Sequence, residues 1–147
     1  ASEISEKVNT DAEISIEGYF TGFSPKILLV DDNAINRKVA IEILRKANCH
    51  VIGADSGKKA IDTFQNNPDF DLILMDIQMP EMDGVETTRI LREKFGKKLP
   101  PVVAMTAYSM ENDREKFLAS GMDNYLSKPI RANLLIQKVE ECLQPGK

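Results

Sequence analysis

Ile27-Leu28-Leu29-Val30-Asp31-Asp32-Asn33-Ala34-Ile35-Asn36-Arg37-Lys38-Val39-Ala40-Ile41-Glu42-Ile43-Leu44 sets the pattern for the whole chain. Four consecutive apolar residues bounded by polar ones read as a strand covered on both faces. Polar residues follow, and then Ile35, Val39, Ala40, Ile43, Leu44 and Ala47 recur at spacings of three to five, the mark of a helix with one buried face. The same alternation returns as His50–Ala54 then Ala60, Ile61 and Phe64, and as Leu72–Met75 then Val85, Ile90 and Leu91. It continues as Val102–Met105 then Met110–Leu118, and as Asn124–Leu126 then Leu134, Leu135, Val139 and Leu143. Five units of strand and helix predict an α/β fold, because parallel strands need crossover connections and right-handed crossovers place helices on both faces of the sheet. Ser56-Gly57, Asp83-Gly84 and Ser120-Gly121 supply turn chemistry between elements. The units share no sequence signature beyond this period, which argues against a repeat protein.

The chain has 147 residues, enough for one domain with a tail, and its 42% hydrophobic content fills a single core. Residues 1–25 hold five acids, Glu3, Glu6, Asp11, Glu13 and Glu17, against Lys7 alone. That net charge of −4 is also the charge of the whole chain, so the remainder is neutral. We therefore expect an acidic linker or N-terminal extension over 1–25 and a folded domain over 26–147. Ile14 and Ile16 alternate with acids and serine, the pattern of a short additional strand. A neutral body without a basic surplus argues against nucleic-acid binding. Cys49 and Cys142 are too few for a disulfide framework and lack metal-ligand spacing, which fits a reducing cytoplasmic setting. No apolar stretch is long enough to span a bilayer and no signal peptide precedes the fold, so direct membrane contact is not expected. Ala1 in place of Met reads as a fragment or a processed chain; any inner- or plasma-membrane anchor of a parent protein would lie elsewhere.

Chemically capable residues stand at the ends of the apolar runs. Asp31 and Asp32 follow the first, Asp76 the third, Thr106 the fourth and Lys128 the fifth. In a parallel sheet these carboxyl ends share one edge, where open α/β folds bind ligands. Three carboxylates meeting there repel one another unless a cation intervenes, and a hard, oxygen-seeking ion such as Mg²⁺, with Mn²⁺ as the alternative, suits them. Lys128 adds an ammonium and Thr106 a hydroxyl donor. A metal, an ammonium, a hydroxyl and a carboxylate nucleophile are what phosphoryl transfer to an acid side chain requires.

Four ordered segments carry a family resemblance: Ile27-Leu28-Leu29-Val30-Asp31-Asp32-Asn33, then Leu74-Met75-Asp76-Ile77-Gln78-Met79-Pro80-Glu81-Met82-Asp83-Gly84, then Met105-Thr106-Ala107, then Lys128-Pro129. Over roughly residues 26–143 the chain resembles the response-regulator receiver domains of two-component signalling. The wording around Asp31 and Met79 is most similar to receivers of hybrid sensor histidine kinases. The resemblance implies a flavodoxin-like, doubly wound five-stranded parallel sheet of order 2-1-3-4-5. It implies Asp76 as phosphoacceptor, and Asp31, Asp32, Asp76 and the backbone carbonyl of Gln78 around the metal. By the same resemblance, Thr106 and Lys128 would contact the phosphoryl group, Thr106 and Tyr125 would act as the switch pair, and Lys128-Pro129 would be a cis peptide. It further implies that Gln78 and Tyr108 flank the path of attacking water and tune the lifetime of the acyl phosphate. The implied partners are a histidine kinase domain or a histidine phosphotransfer protein, with the domain itself monomeric and no enzyme apart from assisting its own phosphorylation and dephosphorylation. The parent is a hybrid kinase or, alternatively, a stand-alone response regulator.

Simpler readings compete residue by residue. Asp83 before Gly84 is explained by helix entry. Met75 and Met105 end strand runs and read as core, whereas Met79 and Met82 in the loop after Asp76 offer an adaptable partner surface. His50 reads as a strand residue, and Lys58-Lys59 and Arg92–Lys98 as solvated helix faces. A haloacid dehalogenase-like phosphohydrolase also uses a strand-end Asp, Mg²⁺, a hydroxyl and a Lys. That chemistry needs a second Asp two residues after the nucleophile, where this chain has Gln78, an amide that cannot exchange the proton. A flavodoxin-like cofactor binder must cradle phosphate in its first loop, where Asp31-Asp32 would repel it. A receiver acting only as a phosphorylation-independent interaction module would have no use for the full acidic, Thr and Lys set.

Overall fold

A computed structural model describes residues 16–107 and 121–143. The elements are β1 (Lys26–Val30), α1 (Ala34–Lys46), β2 (His50–Ala54), α2 (Gly57–Asn66), β3 (Leu72–Asp76), α3 (Gly84–Phe95), a 3₁₀ turn (Gly96–Lys98), β4 (Val102–Thr106), β5 (Asn124–Ser127) and α4 (Ala132–Leu143). All four strand pairs are parallel and the order is β2-β1-β3-β4-β5. This is the doubly wound sheet that the alternation predicts. The helix expected over Met110–Leu118, Tyr108, and the first partner of the Ser120-Gly121 turn lie outside the described residues.

Strand side chains alternate between faces, so an apolar run feeds two cores. Leu28, Val30, Ile73, Met75, Val102 and Ala104 pack with Ala60 and Phe64 of α2 and Leu91 of α3. Ile27, Leu29, Leu72, Leu74, Val103 and Met105 pack with Ala40 and Leu44 of α1 and with Leu135, Ile136 and Val139 of α4. Every residue of β3 and β4 is buried, which is why neither strand has a polar position before its last residue. Helix starts are set locally. Asn33, Ser56 and Asp83 each cap a helix by accepting from the amide three residues on, at 2.9, 3.1 and 2.8 Å, worth about 1 kcal/mol apiece. Asp83 thus has the helix-entry role its sequence suggests.

Two expectations change. Ile16 lies in no strand, and Ile14 lies outside the described residues. The chain turns at Gly18, whose φ of +66° suits glycine, and its amides bond to helix-end carbonyls instead of a sheet edge: Gly18 N donates to Lys46 O at 2.6 Å and Phe20 N to Ala47 O at 3.0 Å. The last carbonyls of a helix lack intrahelical donors, and these amides supply them. Residues 16–25 therefore form a strap across the end of α1, with Phe20 buried beside Leu44, Ala47 and Val139. Tyr19 ties the strap to α4 by donating its hydroxyl to Glu140 Oε1 at 2.6 Å. Met79, in turn, is buried with Ile77 in the core on the α2–α3 side and offers no exposed partner surface. The loop after β3 folds back, with Gly84 N donating to Ile77 O at 3.0 Å, and this carries both side chains inward.

Candidate functional site

The strand ends that carry polar residues converge at the carboxyl edge of the sheet. Asp76 is the last residue of β3 and sits in register with Met105; Ile77 N donates to Met105 O at 3.0 Å. Thr106 ends β4, is fully buried and pairs with Ser127, and its carbonyl accepts from Lys128 N at 2.8 Å. That backbone bond delivers Lys128 toward β3, and its Nζ reaches Asp76 Oδ1 at 2.9 Å. The Lys128-Pro129 peptide is cis, as the resemblance implied. Gln78 N also donates to Asp76 Oδ1, at 3.3 Å, while the Gln78 residue faces solvent.

Asp31, Asp32 and Asp76 bring one carboxylate oxygen each within 4.8 Å of one another. Asp31 and Asp76 are buried and Asp32 is exposed. Burial raises the Asp76 pKa above the usual carboxylate range and the Asp31 charge raises it further, whereas the hydrogen bond and charge of Lys128 pull it back down. Among the described residues, a single ammonium thus faces three carboxylates. The donor set is all hard oxygen with an excess of negative charge, and it fits a small divalent cation better than a soft metal.

Tyr125 lies on β5 in register with Ala104, half-buried against the α2–α3 core, with Lys138 Nζ 5.8 Å from its ring centroid. Beside the acidic cluster, Asp31, Asn36, Val39, Ala107, Lys128 and Ile130 line an open cleft of about 420 Å³. Ile35 and Val39, one turn apart on α1, stand exposed beside it at 75% and 46%.

Two site residues were not singled out from sequence. Gly84 packs so closely on β3 that a Cβ there would lie 2.2 Å from Asp76 O and 3.0 Å from Ile77 Cα. Only the Asp-Gly pair hinted at it, and a turn explained that pair equally well. Arg37 Nη1 donates to Asp31 O at 2.8 Å, a contact between side chain and backbone that no spacing announces.

The model of the response regulator receiver domain matches residues 27–140. The sensor histidine kinase GacS of Pseudomonas protegens is 42% identical over 120 residues, covering 79% of this chain and 13% of that kinase. The chain therefore spans a small part of the length of the curated relatives it matches. Among solved structures, the receiver domain of sensor histidine kinase PA1611 from Pseudomonas aeruginosa PAO1, with magnesium coordinated in its active-site cleft, has a TM-score of 0.74 at 32% identity and covers 82% of this chain and 98% of that one. The Saccharomyces cerevisiae Ssk1 receiver, in complex with the histidine phosphotransfer protein Ypd1, has a TM-score of 0.74 at 29% identity, covering 81% of this chain and 88% of that one.

Proposed function

We infer that this chain, which belongs to the response regulator receiver domain family, takes a phosphoryl group from phosphohistidine onto Asp76 and signals through the change in shape that follows. The observation that carries the reading is the buried Asp76 carboxylate, 2.9 Å from Lys128 Nζ and within 4.8 Å of two further acids.

Asp31, Asp32 and Asp76, with the Gln78 carbonyl, would hold Mg²⁺, or Mn²⁺ in its place; the magnesium in the PA1611 receiver supports this assignment. The ion supplies charge neutralisation for the carboxylates and for the incoming phosphoryl oxygens. The protein's own residues do the remainder. Lys128 counters the effect of burial on Asp76 and then moves its donor interaction to the phosphoryl group. The Asp76 oxygen attacks phosphorus in line as the phosphorus–nitrogen bond of the donor breaks, releasing imidazole and leaving an acyl phosphate. The Thr106 hydroxyl donates to a phosphoryl oxygen, and Tyr125 repacks in response. Both changes bias the surface of β4, β5 and the intervening segment, a shift between two populated states.

The donor is a histidine phosphotransfer protein or a histidine kinase domain, docked over the cleft against Ile35 and Val39; the Ypd1 complex of the Ssk1 receiver supports this class of partner. Identity to GacS supports a sensor histidine kinase as parent, and identity to hybrid signal transduction histidine kinase H of Dictyostelium discoideum supports a hybrid one; we place the domain itself on the cytoplasmic side of any membrane anchor. No helix among the described residues is long and apolar enough to cross a membrane. The test is incubation with Mg²⁺ and acetyl phosphate, or with a phosphorylated phosphotransfer protein, read by intact mass. One phosphoryl group is expected on the wild type and none on Asp76→Asn. Full labelling of that variant would refute the assignment, and turnover of small phosphomonoesters would favour the dehalogenase-like reading.

A further inference from the structure

Asp32 is the exposed member of the acidic cluster, and its side chain makes no hydrogen bond or ion pair among the described residues. The place of its carboxylate therefore depends on its own backbone. The peptide plane that enters Asp32 begins at the Asp31 carbonyl, and Arg37 Nη1 donates to that oxygen at 2.8 Å.

How Arg37 reaches it is built into the sheet. Its stem leaves the first turn of α1 and crosses β2 at Gly53, where a Cβ would lie 3.4 Å from Arg37 Cδ, 3.6 Å from Cγ and 3.3 Å from Ile41 Cδ1. Gly53 pairs with Leu29 in a strand otherwise made of side-chain-bearing residues, and the Arg37 stem lies over it so closely that a Cβ would already be in contact and a larger side chain would press on the stem. The loop is closed from its other end by Asn33. Its amide donates to Asp31 Oδ1 at 2.9 Å, its carbonyl accepts from Arg37 N at 2.9 Å, and its side chain accepts from Asn36 N at 2.9 Å. One carboxylate oxygen of Asp31 is thereby committed to the loop, and the main chain on either side of Asp32 is fixed.

We propose that Arg37, lying over Gly53, is a positioning residue for the cation site: it holds the Asp31 carbonyl so that the solvent-facing Asp32 is already aimed when the ion arrives. The proposal rests on the metal reading given above. Outer contacts of this kind typically change metal affinity by one to two orders of magnitude. A charged donor near a carbonyl also keeps its hold where a neutral one would exchange with water.

Two variants test it from opposite sides. Arg37→Met removes the donor. Gly53→Val leaves Arg37 in the chain but presses on its stem with a residue that strands favour. Magnesium affinity is measured by calorimetry, amide exchange at Asn33 is measured by NMR without metal, and thermal stability is measured in parallel. Both variants should weaken Mg²⁺ binding roughly tenfold and speed Asn33 exchange, while Gly53→Val keeps or gains thermal stability. Phosphorylation by acetyl phosphate should need more Mg²⁺ yet reach the wild-type rate at saturation. Wild-type Mg²⁺ affinity in both folded variants would overturn the role of Arg37 and leave the metal site standing. Absence of saturable Mg²⁺ binding in the wild type would instead overturn the metal reading and this inference with it.

Discussion

Substituting Gly84 by Ala should damage both stability and phosphoryl transfer, by an amount that follows from one close approach. The added Cβ would lie 2.2 Å from Asp76 O and 2.9 Å from Asp76 C, where ordinary contact begins at 3.4 Å. The obstacle is main chain, so no rotamer relieves it, and the Asp76–Ile77 peptide or the start of α3 must move by about 1 Å to restore contact distance. Overpacking of this kind costs about 1–3 kcal/mol, and the conformational gain of about 0.5–1 kcal/mol from removing a glycine offsets only part. Net destabilisation of roughly 1–2 kcal/mol is expected, read by urea denaturation without metal. The same displacement moves the nucleophile and the Gln78 carbonyl, and misplacement by 1 Å is worth roughly a hundredfold in rate. Gly96→Ala serves as the control: its φ is +54° with nothing within 4 Å, so it should lose stability through backbone strain alone and phosphorylate normally. Wild-type stability and wild-type labelling by acetyl phosphate in Gly84→Ala would refute the close-packing argument.

Asp76→Asn should raise thermal stability at neutral pH without Mg²⁺. Because the folded-state pKa of Asp76 is raised, protonation stabilises the fold, and that contribution is lost as pH rises through the folded value. The gain of the variant should thus be absent below the ordinary Asp pKa and full above the raised one; melting curves from pH 3 to 8 decide, and a gain independent of pH would contradict the cause assigned. Lys128→Met should remove the cation paired with Asp76 and slow labelling by roughly a hundredfold or more, which timed intact-mass measurements would reveal. Thr88→Val should be neutral or stabilise by up to about 1 kcal/mol, since the Thr88 hydroxyl is buried on α3 with no hydrogen-bond partner among the described residues; a clear loss on denaturation would expose a partner. Ile35→Asp should leave acetyl phosphate labelling unchanged and weaken transfer from a phosphotransfer protein, and equal loss with both donors would place Ile35 in the fold instead of the docking face.

The order of elements was legible because each strand had to bury both faces and each helix one, leaving periodicities that cannot be confused over this length. Asp76 and Thr106 were legible for a related reason: β3 and β4 admit no polar residue until they reach the carboxyl edge of the sheet, so the first one marks that edge. Arg37 and Gly84 were not, because one acts through a backbone carbonyl and the other through an absent atom. Met79 misled because a loop sequence does not say which way the loop folds, and Gly84 N reaching back to Ile77 O decides that in space. The Ile14 and Ile16 alternation misled because a period of two over so few residues records only that Ile16 is half-buried; the bonding partners were helix ends.

The strap also changes where the domain receives mechanical load. Phe20 is 5% exposed, Asn48 Nδ2 donates to its carbonyl at 2.9 Å, and Tyr19 grips Glu140, all before β1 begins. A pull on the chain ahead of the strap would therefore meet the seam between α1 and α4, the two helices packed on one side of the sheet, before it reaches β1. A chain trimmed to begin at Lys26 would keep the whole sheet and every site residue, yet forfeit the roughly 3–5 kcal/mol associated with a buried phenyl ring and leave the end of α1 without its donors. A stretch transplanted from one protein to another should thus carry the strap along with the sheet it protects.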